Sequence, residues 1–185
     1  SIDITAGGNR FLFNTIMTSD EVGDLSAAVA IRTDAENVFI GNLIKTARTA
    51  FRAGFTGETS SDAVRLLAAY NAIDAGGLTW ADDMKRGLTA AELEVIGFDL
   101  DTFERGGVLF RDETSGDYRL ALDSIGRDMS GLNARELGVL QDFYGLDRPF
   151  SNVSDAGAFA VIPEPSVAIL LLGSAGLLLG RRCSR

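Results

Sequence analysis

Residues 34 to 53 read DAENVFIGNLIKTARTAFRA, and whether this run is one helix decides the fold class. Asp34 stands where an N-cap is wanted, and Val38, Leu43, Ile44, Ala47 and Phe51 recur at helical spacing. That spacing predicts a helix from Ala35 to about Ala53. Its other side carries Lys45, Arg48 and Arg52, read as a solvated basic face in preference to a contact for an anionic polymer.

The same reading extends outward. Thr18-Ser19-Asp20-Glu21 has capping-box spacing and predicts a helix toward Ile31 despite Gly23. Ser60 opens another through about Ala75, with Val64, Leu67, Ala68 and Ile73 on its core side and Gly76-Gly77 as its stop. Thr89-Ala90-Ala91-Glu92 and Asn133-Ala134-Arg135-Glu136 start two more. The segments Gly87 to Leu93 and Gly131 to Leu137 nearly repeat, but a solenoid needs about three repeats, so shared capping chemistry accounts for the likeness. Residues 2 to 17 alternate between apolar and polar, with Gly7-Gly8 turning between two strands. Val108 to Phe110 and Tyr118 to Leu122 bracket a polar loop and predict a hairpin. The expected fold class is α+β: a small, mostly helical domain with a β-hairpin, then a linker and a single C-terminal transmembrane helix.

Composition narrows the function. With a net charge of -9 over 185 residues, and Lys and Arg dispersed apart from a short C-terminal cluster, nucleic acid is not an expected partner. The chain has no histidine, which removes the base of a Ser-His-Asp or Cys-His mechanism and the commonest nitrogen ligand of zinc. A lone Cys183 excludes an internal disulfide. Asp82 and Asp83 are adjacent and diverge on a helix, so they make no shared-proton dyad. Asp112, Glu113 and Asp117 are hard oxygen ligands, but their spacing fits no EF-hand and reads as a solvated turn. No catalytic residue, metal site or cofactor is expected. The chain opens at Ser1 with no basic and apolar leader, so an export signal is expected upstream.

Residues 161 to 185 read VIPEPSVAILLLGSAGLLLGRRCSR and divide into three pieces. Pro163 and Pro165 fix φ and withhold two donors, so Pro163-Glu164-Pro165 is expected to be extended and accessible to a processing enzyme. The run from Val167 to Gly180 is uncharged: Val167, Ala168, Ile169, Leu170, Leu171, Leu172 and Gly173 lead, and Leu177, Leu178 and Leu179 close it. It is short against the roughly 17 to 25 residues of a permanent span, closer to a signal-type segment, and expected to cross a thin bilayer. Arg181, Arg182 and Arg185 then set topology by the positive-inside rule, which would leave the body outside the cytoplasm. Cys183 is read as an incidental thiol.

On these residues the tail resembles the PEP-CTERM sorting signal of Gram-negative bacteria. Pro163-Glu164-Pro165 matches the name-giving tripeptide, Ser166 is a common follower, and the Leu/Gly-rich run and arginines complete the pattern. Ile162 stands where valine is frequent, and Cys183 interrupts the basic cluster. The resemblance is confined to the tail. It implies export, transient residence at the inner membrane, processing by an exosortase-type membrane enzyme, and delivery to the cell surface or extracellular matrix.

Residues 69 to 122 bear a faint likeness to the segment preceding the catalytic core of some lipase-like hydrolases, through Ala69-Tyr70, Trp80, Leu88 to Leu93, Gly97 and Phe110-Arg111-Asp112. No Gly-x-Ser-x-Gly elbow follows. The expected organisation is an exported domain of unknown function at 1-146, a linker at 147-162 and the sorting signal at 163-185. The first reading is non-enzymatic, structural or matrix-associated. One alternative is the C-terminal fragment of an exported hydrolase, and another is a module with extracellular polysaccharide as its partner.

Overall fold

A computed structural model describes residues 2–18, 27–33, 35–53, 66–77, 80–81 and 87–159. The chain lays down β1 (Ile2–Ile4), β2 (Arg10–Leu12) and β3 (Thr15–Thr18), and then repeats the triplet. The second is β4 (Ala27–Ile31), β5 (Asn37–Ile40) and β6 (Leu43–Thr46), and the third is β7 (Thr49–Ala53), β8 (Leu66–Ala69) and β9 (Ala72–Ala75). Each strand pairs in parallel with its equivalent one coil later, setting Ile2 opposite Val29, Phe11 opposite Phe39 and Ile16 opposite Ile44. β10 (Trp80–Ala81) extends the first face against β7, and after α1 (Ala90–Val95) β11 (Glu104–Arg105) extends the third against β9. The product is a three-faced parallel β-solenoid whose faces run β1-β4-β7-β10, β2-β5-β8 and β3-β6-β9-β11.

The repeat is written in three aligned stretches: RFLFNTIMT at 10–18, VFIGNLIKT at 38–46 and LAAYNAIDA at 67–75. In each, an apolar strand meets a residue in the left-handed region, then an asparagine, then a second apolar strand. The corner residues are Phe13 (φ 52), Gly41 (φ 68) and Tyr70 (φ 52). A Cβ on Gly41 would lie 2.9 Å from the Phe13 ring, so a larger residue at the middle corner must displace that ring.

The asparagines that follow form a ladder. Asn14 donates through its backbone N and Nδ2 to Asn42 Oδ1 at 2.9 and 3.1 Å, and Asn42 repeats this to Asn71 Oδ1 at 2.9 Å for both. Each amide also reaches back: Asn42 Nδ2 donates to Phe11 O and Asn71 Nδ2 to Phe39 O, both at 2.9 Å. Asn42 and Asn71 are fully buried, and these bonds offset the cost of taking the amides out of water. Asn9 with Asn37 and Thr18 with Thr46 make shorter ladders at other corners.

Inside the bore, Phe11, Phe39, Phe51, Trp80 and Phe98 stack or meet edge to face at centroid distances of 4.6 to 5.6 Å. Ile16, Ile44 and Ile73 line the third face of the same core. Each buried phenylalanine of this kind contributes about 2 kcal/mol by removal of apolar surface from water.

Residues 106 to 159 are irregular and pack on the outside of the coils. β12 (Phe110–Asp112) and β13 (Asp117–Leu120) form the antiparallel hairpin, and β14 (Met129–Ser130) pairs antiparallel with β15 (Val153–Ser154). Val108, Leu120, Met129, Leu132, Ala134 and Ala156 make a second core against Phe13, Leu43 and Ala72 of the solenoid. The closing strap is stitched on by Gly157 N to Gly41 O at 2.7 Å and Ala158 N to Thr15 Oγ1 at 3.0 Å. Beneath it lies Arg148, 1% exposed, donating to Asp155 O and Gly157 O at 3.2 and 2.6 Å and standing 4.4 Å from the Phe13 ring. Burial lowers its guanidinium pKa, against the opposing charges of Asp142 and Asp155.

The expected mostly helical domain is therefore overturned. Among the described residues there are fifteen strands and one α-helix, the six-residue α1. The predicted helix from Ala35 to Ala53 is β5, β6 and β7. Its apolar spacing makes one face only if the chain runs straight, and the corner at Gly41-Asn42 and the bend at Ala47-Arg48 prevent that. Ile44 and Phe51 consequently enter the bore while Leu43 packs outside it. The basic face dissolves too, with Lys45 on the third face and Arg52 on the first. The helix expected toward Ile31 ends as β4, with residues 19–26 outside the described set. The helix from Ser60 to Ala75 is replaced by β8 and β9 where described, with residues 54–65 outside. The two strands about Gly7-Gly8 exist, but each pairs with the next coil and not with its neighbour.

Thr89 does cap α1 through a full capping box with Glu92. Asn133 makes only one turn, its Oδ1 accepting from Glu136 N at 3.3 Å, before Gly138 turns left-handed. The linker expected at 147-162 is, through Phe159, part of the packed region, with Arg148, Ser154, Asp155 and Ala156 buried. The transmembrane helix is also corrected: among the described residues, no helix is long and apolar enough to cross a membrane. The segment 163–185, on which that helix was expected, lies outside them.

Candidate functional site

The coil register places Met17, Lys45 and Asp74 side by side on the outer surface of the third face. The neighbouring outward row of Leu43 and Ala72 is covered by the irregular region, whereas the Met17 row stays open. The hairpin turn rises beside it and brings Glu113 within 2.9 Å of Lys45 Nζ. Together with Thr18, Thr46, Ala47 and Gly76 these residues line a cleft of about 300 Å³. Lys45 also stands 5.1 Å from the Phe110 ring, and Asp74 Oδ2 accepts from Val108 N at 3.0 Å. The cleft thus offers hydroxyls, an ammonium and two carboxylates around a methionine, each charged group already tied to the protein. These are groups of the kind that exchange hydrogen bonds with a polar ligand.

The acidic hairpin loop is satisfied from within. Asp112 Oδ1 accepts from Thr114 Oγ1 at 2.6 Å and Ser115 N at 3.2 Å, and these bonds hold its carboxyl below the ordinary aspartate value. Asp117 takes Arg119 Nε and a terminal nitrogen at 2.8 and 2.6 Å, which lowers its pKa to about 2. Among the described residues, no group of three or more acidic or cysteine side chains converges to hold a metal ion.

The other residues singled out from sequence scatter. Ala69 and Tyr70 form a solenoid corner, Trp80 fills the bore, Leu93 is the buried residue of α1, and Phe110 to Asp112 are β12. Of the positions of the hydrolase likeness, Trp80, Leu88 and Leu93 share the first core, and Tyr70 and Phe110 pack on the second. Asp82 and Asp83 lie outside the described residues, as do Pro163, Glu164, Pro165, the apolar run and the terminal arginines. Near where the described chain ends, Phe143 and Tyr144, 72% and 49% exposed, gather around Phe159 at centroid distances of 5.1 and 5.4 Å. The sequence reading missed the cleft because it placed Lys45 on a helix. The signal that finds it is the coil spacing, 28 residues from Asn14 to Asn42 and 29 from Asn42 to Asn71, which also aligns Met17, Lys45 and Asp74.

No protein-family model matches the chain, and no curated protein or solved structure matches it.

Proposed function

We propose that this chain is an exported bacterial protein sorted by a C-terminal PEP-CTERM signal, with a β-solenoid body that serves structurally at the cell surface or in the extracellular matrix. The observation that carries the reading is the order of the tail: Pro163-Glu164-Pro165, then the uncharged apolar run from Val167 to Gly180, then Arg181, Arg182 and Arg185. In this reading the apolar run engages the inner membrane transiently, an exosortase-type enzyme processes the chain near the tripeptide, and the body is released or attached outside. Support from the body is its character as a repetitive parallel scaffold, packed as far as Phe159, close before the tripeptide.

The test is expression in paired hosts with and without exosortase, reading the C-terminus by mass spectrometry. Truncation near Pro163 to Pro165 only in the exosortase-positive host is expected. An intact Arg185 terminus in both hosts overturns the assignment.

A polysaccharide-binding role has one observation in its favour, the Thr18, Lys45, Thr46, Asp74 and Glu113 cleft, whose groups match the donors and acceptors of sugar hydroxyls. Binding of the host's own exopolysaccharide that is lost in Lys45→Met would favour it, and equal binding by both proteins would remove it.

A further inference from the structure

We propose that the outer edge of the first coil is an addition surface for one more coil of the same repeat, running parallel and delivered in cis by polypeptide ahead of Ser1. The two ends of the solenoid differ. Downstream, the bore is filled by Leu93, Ile96 and Phe98 from α1 and the turn after it. There, Leu66 N donates to Ile96 O, and Ala68 N to Gly97 O, so the edge of β8 is used. Upstream, β1, β2 and β3 are each the terminal strand of their sheet among the described residues. Ile2 and Phe11 pack on the core yet remain only partly buried. Unpaired strand edges are templates for further pairing, and solenoids close them with a cap or another coil.

The ladder specifies the occupant. Asn42 makes two contacts with the coil before it: its Oδ1 receives Asn14, and its Nδ2 donates to Phe11 O. Asn71 does the same toward Asn42 and Phe39 O. Among the described residues Asn14 makes neither upstream contact, and the Oδ1 of Asn9 accepts from none of them, where Asn37 Oδ1 takes two donors. The missing partner therefore carries a strand carbonyl and an asparagine whose N–H and Nδ2 point downstream. Those are the groups of one more repeat, continuing the interface already built between coils. A second copy does not present them: its first edge offers the same open acceptors, and its far end carries α1 in place of a plain coil.

The reading frame upstream of Ser1 is the direct test. An asparagine 28 or 29 residues before Asn14, between two short apolar strands, is expected, in keeping with the internal spacings. An export signal or initiator directly ahead of Ser1 overturns the proposal. Hydrogen exchange supplies the second measurement. In the full chain, amides of β1 to β3 exchange at least about tenfold faster than those of β4 to β6, and fusing a tandem copy of residues 1–28 ahead of Ser1 removes that difference. Equal protection of the two coils in the unextended chain, or a concentration-dependent dimer that alone protects β1 to β3, overturns it even if the fusion fails to fold.

Discussion

The solenoid and the irregular region from 106 to 159 build their cores by opposite means. In the solenoid, the same interaction is made again at each coil: an asparagine bond, an aromatic stack, an isoleucine in the bore. The irregular region has single interactions, of which the bulkiest buried one is Arg148 under the strap, its Nε making no hydrogen bond among the described atoms. Repetition makes stability a chain of nearest-neighbour terms, so damage to one coil is transmitted along the axis. A single buried cation confines damage to the groups it holds. Trp80, the only tryptophan, sits in the bore and reports on the first region, while Tyr118 and Tyr144 report on the second.

The largest effect is expected in the middle of the stack. Phe51 contacts Phe39, Trp80 and Phe98, and Phe51→Ala should cost about 3 to 5 kcal/mol by leaving a cavity. Chemical denaturation followed by Trp80 emission should show the midpoint fall with a red-shifted baseline. Arg148→Met comes next, at about 3 kcal/mol, because two carbonyls lose a charged donor. Here tyrosine signals and exchange at 126–158 should loosen at denaturant concentrations that leave Trp80 emission native. If Trp80 follows in step, the two regions are one cooperative unit and the contrast fails.

Asn42→Ala should cost about 2 kcal/mol, since it strips bonds from Asn14, Asn71 and Phe11 O while removing little volume. Its signature is faster exchange in both flanking coils, where a local defect would affect one. Thr89→Ala removes the cap of α1 and should cost about 1 kcal/mol, visible as faster exchange at Ala91 to Leu93. The smallest effect concerns the hairpin. Asp117, held at about 2 against an ordinary 3.8 by Arg119, contributes stability that is complete above the ordinary value. That contribution is lost as pH falls from near 4 through 2. On so exposed a pair it amounts to less than about 1 kcal/mol, and Asp117→Asn should flatten that part of the acid titration.

Several local features are legible in the order of residues alone. The capping box at Thr89 and Glu92 and the hairpin about Asp112 to Asp117 depend on neighbours in sequence, and local rules find them. The helix expected over 35–53 shows where such rules fail. Two short strands joined by a left-handed corner can place apolar residues at helical spacing, and Asp34 in front completes the likeness. The repeat is equally present in Asn14, Asn42 and Asn71, but its copies lie 28 and 29 residues apart, and the third substitutes alanines for most of the large apolar residues. The near-repeat at Gly87 and Gly131 is easier to see and structurally empty: one copy starts a helix and the other a single turn. The Lys45 and Glu113 cleft is hidden because its members are 68 residues apart and meet only across a coil.

By itself, the sequence determined the chemistry that the chain lacks, with no histidine and no internal disulfide, and the three-part order of its tail, because these follow from which residues are present and in what order. Tertiary structure alone decided that the apolar runs are strands. A strand in a parallel solenoid is held by a partner a whole coil away, and no property of nine consecutive residues reveals whether that partner is there.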